Sequence, residues 1–257
     1  WLMVFPKRKT PEGRPAPPSP GEINSLAGQI EVIRARLSSV SWFMRSLNEN
    51  IARRANREDG CKGRFWEGRF KCQILLDEAA VLTCLTYVDL NPVRAGEAYS
   101  PETSPHTSAF LRIQARQARE KEKAAELEVS NSLSPESREQ RECRSAWIKA
   151  DDWLCPFESD PEKPRSGLLD ITVDRYLEIL DWTGRQFREG GKRSLPEELP
   201  PILERLRVDS GRWLETTSTF GRSFYLAVGR AELMEETASA LGRRWLRGLN
   251  AGRRAFF

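Results

Sequence analysis

Apolar positions recur at helical steps over most of the chain. From about Ile23, Leu26, Ile30, Ile33 and Leu37 follow three- and four-residue spacing, which predicts an amphipathic helix. Ser38, Ser39 and Ser41 interrupt it and offer caps for a second helix, with Phe43, Met44, Leu47, Ile51 and Ala55 on one face. Gly60 and Gly63 end that run. Residues 64–71, RFWEGRFK, alternate loosely between aromatic and polar side chains and lead into Cys72-Gln73-Ile74-Leu75-Leu76, so a loop and then a short strand are expected. Asp77 is placed to cap a helix with Glu78 in its first turn, and Asn91-Pro92 to stop it. In this helix Val81, Cys84, Leu85 and Val88 have core spacing, while Ala80, Thr83, Tyr87 and Asn91 share another side.

The pattern then weakens. Residues 97–108 read as a Ser/Pro/Thr loop, and 109–128 as a helix that is mostly charged. Four apolar groups follow at helical spacing: Tyr176 to Phe187, Leu199 to Leu206, Trp213 to Val228, and Leu233 to Leu249. The expected organisation is a Pro-rich loop (1–21), a first folded segment (22–96), a polar linker with weak helices (97–167) and a helical C-terminal domain (168–257). Within the linker, Trp147, Trp153 and Phe157 are expected to dock on a neighbouring surface. The expected fold class is mainly α with a small β component.

Composition removes several classes. With 39% hydrophobic residues, eight Trp and eleven Phe, the chain can build a core. No apolar run approaches the roughly 18–20 residues of a membrane span, and the first residues do not form a signal peptide. Five scattered cysteines without a C-x-x-C spacing favour free thiols and a cytoplasmic location. The single histidine, His106, excludes a site that takes two histidines from this chain. A net charge of +4 is too small to point to a nucleic acid, so local clustering has to decide.

Clustering is present in one place. Between Trp42 and Gln73 stand eight Lys or Arg against four acids, interleaved with Phe65, Trp66 and Phe70. Cations that hold phosphate beside rings that stack on bases suit single-stranded nucleic acid. Composition alone leans toward the alternative, a solvated helix face with core aromatics. In the next helix Tyr87 and Asn91 are one turn apart and are expected to project into the same space. A tyrosine can attack phosphorus, and an amide oxygen can join a divalent metal site.

The segments FMRSLNENIARRANR, GRFWEGRFKCQ and LLDEAAVLTCLTYVDLNPVRAG resemble the HUH-type single-tyrosine transposases, specifically the REP-associated tyrosine transposases. The resemblance covers about residues 41–96 and rests on FW-x-x-RF followed by a helix ending Y-x-x-x-NPV-[RK]-x-G. It implies a ferredoxin-like α/β domain that cleaves and rejoins hairpin-flanked single-stranded DNA. It further implies Tyr87 as the nucleophile that forms a phosphotyrosine, and Asn91 as a ligand of Mg or Mn. The family's His-hydrophobic-His metal pair has no counterpart here, since His106 follows the tyrosine and stands alone. The first 40 residues also lack the family's opening strands, and the chain begins with Trp rather than Met. A partial transposase, or a copy that has lost catalysis and kept DNA binding, is therefore expected. Arg45, Arg53, Arg54, Lys62, Arg64, Arg69, Lys71 and Arg94 are the candidate phosphate contacts, with Trp66 and Phe70 as stacking rings. No membrane partner is expected, and a homodimer is compatible with the reading. The tail from Thr237 carries five arginines and no acid, and is assigned to DNA ahead of a membrane only through the resemblance.

Overall fold

The computed structural model describes residues 2, 7–128, 144–158, 167–189 and 199–257. It is mainly helical with one small sheet, the fold class expected from the sequence. The chain divides into two compact units, Trp1–Lys71 and Cys72–Phe257.

The first unit holds α1 (Pro20–Asn24), α2 (Ile30–Leu37) and α3 (Val40–Glu58). Ser19 opens α1 with a capping box: its hydroxyl accepts from Glu22 N, and Glu22 accepts from Ser19 N at 2.7 Å. The Arg8 guanidinium also donates to Glu22, and these bonds hold that carboxyl down to about 2. Ser39 sits at the N-cap of α3 but makes no side-chain cap bond. No residue of the three helices is buried. The apolar face expected on α3 is present and uncovered, with Val40, Phe43, Leu47 and Ile51 between 40% and 63% exposed.

The second unit begins with β1 (Ile74–Leu75), α4 (Glu78–Asp89), α5 (Asn91–Ala95) and α6 (Ser108–Glu128). It continues with α7 (Val173–Glu189), α8 (Leu199–Arg205), α9 (Trp213–Ser223), β2 (Ala227–Val228), α10 (Ala231–Ala240) and α11 (Leu249–Ala255). The strand expected near 72–76 is there, shortened to two residues. Its neighbour differs from expectation. The helical pattern read through Val228 stops at Ser223, and Phe224 is extended. The chain after it is drawn out beside β1 in parallel, with Ile74 N donating to Leu226 O and Leu76 N to Val228 O, both at 2.9 Å. Gly229 allows this approach: a Cβ there would lie 2.8 Å from Leu76 Cβ.

Asp77 caps α4 as expected, accepting from Ala80 N at 2.8 Å, and its second oxygen accepts from Arg230 N at 2.7 Å. The buried side of α4 is not the one expected. Val88 is 53% exposed, and Val81, Cys84 and Leu85 are half-buried. The buried residues are Ala79, Ala80, Leu82, Thr83, Thr86 and Asp89. Small side chains admit α9 closely, and the two threonines turn their hydroxyls onto Ala79 O and Leu82 O of their own helix.

Asp89 ties three helices together. It accepts from Ser108 N and Oγ at the start of α6, at 3.0 and 2.8 Å, and from Tyr176 Oη of α7 at 2.6 Å. Tyr176 is fully buried, and burial followed by the Asp89 charge pushes its phenol well above the usual value. Close by, Arg112 is almost buried, with its guanidinium 4.4 Å from the Phe157 ring centroid and donating to Cys155 O. Burial lowers its pKa. In the segment read as linker, α6 thus contributes to the packed unit. Phe157 is buried on Tyr176 and Trp147 meets Phe110 edge-on, whereas Trp153 stays exposed. Cys143, one of the five cysteines, lies outside the described residues. None of the helices among the described residues is long and apolar enough to cross a membrane.

Candidate nucleic-acid interface

The sequence-predicted residues fall into two groups, one in each unit. In the first unit, α3 carries Arg45, Arg53 and Arg54, and the chain then turns back along it. Gly60 and Gly63 take positive φ, 63° and 125°, at that reversal. Asn56 Nδ2 donates to Gly63 O at 3.0 Å, and Trp66 Nε1 donates to Asn48 O at 3.0 Å. These two bonds lay the segment with Lys62 and Arg64 alongside α3. The Phe65 and Trp66 rings meet edge-to-face at 4.8 Å and are 41% and 39% exposed. The alternative of core aromatics does not describe them; Phe70, the other predicted ring, is half-buried.

The cations are not equally free. Arg53 pairs with Glu49 and Arg54 with Glu58 along the same helix, in exposed pairs that solvent and salt screen. Such pairs open readily to a phosphate. Arg45 lies 5.0 Å and Arg36 4.5 Å from the Trp42 ring centroid. Lys62, Arg64, Arg69 and Lys71 are exposed. Sequence reasoning missed Asn48, Asn56 and Arg36. The Asn56 amide donates to a carbonyl seven residues on, Asn48 offers its backbone carbonyl to Trp66 eighteen residues later, and no local pattern announces either.

Tyr87, Asn91 and Arg94 belong to the second unit. Tyr87 is half-buried and its ring packs on Phe220 of α9, with centroids 5.5 Å apart. Its hydroxyl rests on Gly221 so closely that a Cβ there would lie 2.6 Å from Oη. The Arg94 guanidinium sits 4.9 Å from the Tyr87 ring centroid and 5.7 Å from that of Phe187. One of its nitrogens donates to Ser218 O at 2.8 Å, while Nη1 is buried without a partner among the described residues. Arg94 is thus engaged inside the unit, rather than displayed past the helix stop. Asn91 is exposed at the first position of α5.

The donor set around Tyr87 does not fit a metal ion. Its charged neighbour is a cation, and among the described residues no group of three or more His, Cys, Asp or Glu side chains gathers anywhere to hold one. The arrangement offers instead a phenol held beside a guanidinium. His106 is exposed in a turn at φ 70°.

The chain matches no protein-family model, no curated protein and no solved structure.

Proposed function

We propose that this chain binds single-stranded or hairpin DNA as a transposase-derived module, gripping it through residues 42–71. The observation that carries the reading is the shared exposure of cations and rings in the first unit. Arg45, Lys62, Arg64 and Arg69 stand with Phe65 and Trp66 on a unit whose helices bury no side chain. Phosphates would meet the guanidinium and ammonium groups, and bases would stack on the indole. The basic residues alternate with rings instead of lining one helix face, which favours unpaired strands over a duplex major groove.

A second reading adds DNA cleavage in transposition, with Tyr87 attacking phosphorus. Its support is the Arg94 guanidinium beside the phenol, a cation without a carboxylate partner among the described residues. Against it stands the seating of the hydroxyl on Gly221, from which Tyr87 would have to move. DNA binding without cleavage is the function the geometry supports best.

The test is fluorescence anisotropy with a labelled hairpin oligonucleotide, a random duplex as control, and a salt series. The hairpin should bind more tightly, with affinity falling steeply as salt rises. Trp66→Ala should weaken it by about 1–3 kcal/mol with little change in melting temperature. Equal binding of hairpin and duplex, or no salt dependence, refutes the proposal. On a denaturing gel the hairpin should stay intact. A covalent adduct that disappears in Tyr87→Phe would establish the second reading.

A further inference from the structure

Where the turn between β1 and α4 meets the end of α8 and the start of α10 there is a cavity of about 170 Å³, lined by Asp77, Glu78, Arg205, Arg207 and Arg230 among others. Two arginines from the end of α8 and one from the start of α10 line it together with two acidic residues. Asp77 is already engaged: one oxygen accepts from Ala80 N and the other from Arg230 N, with Arg230 Nε 3.7 Å away. Arg205 is held by a bond to Asp170 O at 3.0 Å. Arg207 has no side-chain partner among the described residues. With Asp77 and Arg230 paired, the acidic residue left in the lining beside Arg205 and Arg207 is the exposed Glu78.

The backbone at Arg207 is unusual for its side chain. Val208 N bonds Leu203 O and Arg207 N bonds Glu204 O, both at 2.8 Å, closing α8 in the manner that places its following residue in the left-handed region. Arg207 takes φ 58° there, a conformation that glycine adopts without strain. The helix stop by itself calls for glycine, and an exposed arginine that lines the cavity stands there instead.

We propose that this cavity binds phosphate, with Arg205 and Arg207 as its direct cationic contacts and Arg230 as a third positive charge fixed by Asp77. Guanidinium groups suit the ligand because their N–H forks match phosphate oxygens. Free phosphate and a phosphate of a DNA strand share this chemistry. The site lies in the second unit and stands whether or not residues 42–71 bind DNA.

The experiment is calorimetric titration of the whole chain with inorganic phosphate at constant ionic strength, alongside melting temperatures. Saturable binding is expected. Arg207→Gly should weaken it about tenfold or more while raising the melting temperature in the absence of phosphate, since backbone strain is relieved. Arg205→Ala should also weaken binding, and Glu78→Gln should tighten it. No saturable binding, or affinity unchanged in Arg207→Gly, overturns the proposal, as does weaker binding in Glu78→Gln. A merely structural Arg207 would change the melting temperature and leave phosphate affinity alone. Competition by a 5′-phosphorylated oligonucleotide, but not by its unphosphorylated form, would assign the site to a strand end; competition by neither assigns it to free phosphate.

Discussion

Gly221→Ala examines the seating of Tyr87 through two opposing effects. Gly221 lies inside α9, where alanine should stabilise the helix by about 0.5–1 kcal/mol. The new Cβ, however, would stand 2.6 Å from Tyr87 Oη and 3.1 Å from Cζ. The ring has little room to yield, because Phe220 and the Arg94 guanidinium pack against it. Overpacking of this kind costs about 1–3 kcal/mol, so the net change should be a destabilisation of about 0–2.5 kcal/mol. In a Tyr87→Ala chain the obstacle is gone and the helix term acts alone. The same Gly221→Ala change should then stabilise by about 0.5–1 kcal/mol. This reversal of sign is a coupling of more than about 1 kcal/mol between the two positions. Urea unfolding of the four chains, followed by helix ellipticity and by tryptophan fluorescence, measures it. If Gly221→Ala stabilises the chain equally with and without the Tyr87 ring, the hydroxyl does not rest on Gly221.

Two further outcomes concern the Asp89 junction. Asp89→Ala leaves Ser108 N and the buried Tyr176 hydroxyl without their acceptor and should cost about 3–5 kcal/mol in urea unfolding. Tyr176→Phe, which leaves both Ser108 bonds intact, should cost only about 1–2 kcal/mol, and equal losses would show that Asp89 is not the hub. The second outcome is a pH dependence. The folded chain holds the Tyr176 phenol well above its usual value, so this contribution is intact below the unfolded pKa near ~10. Above it the unfolded chain sheds a proton that the folded one retains, and stability should fall by about 1.4 kcal/mol per pH unit. Denaturation at pH 9, 10 and 11 should show that slope, and the slope should be smaller in Tyr176→Phe; an unchanged slope would contradict the assignment.

Local signals in the sequence were reliable where the partner is local. The Asp77 cap and the break near Asn91-Pro92 follow from groups within a few residues of each other, whereas the helix at Val40 starts after Ser39 without the serine cap bond. The apolar spacing of α3 was equally legible. Whether that face is covered depends on what lies across from it, and periodicity does not carry that information. The same limit explains α4: an apolar helix enclosed on several sides has no single core stripe, and the small side chains won the closest contact. β2 was hidden because Phe220, Phe224 and Val228 keep helical spacing while the backbone changes to extended. Arg94 looked like a surface cation beside a helix stop; one ring neighbour, Tyr87, is on the preceding helix, but the other, Phe187, and its acceptor Ser218 O come from far along the chain. For the candidate interface, residue types and spacing identified the cations and rings. The asparagine bonds that fold the loop back onto α3 were beyond their reach.

The bond between Asp77 and Arg230 closes a loop of 153 residues, and the strands beside it pair across a similar interval. During synthesis, β1 and α4 leave the ribosome long before α9 and β2 exist. At about 5–20 residues per second the wait is roughly 8–30 s. Throughout it, Leu82 and Leu90, both fully buried at the end, have no final neighbours from the C-terminal helices to cover them. Completion of the second unit is therefore a late, nearly simultaneous event set by emergence of the last thirty or so residues. A nascent chain arrested before Ala227 would present its first strand as an open edge to other polypeptides.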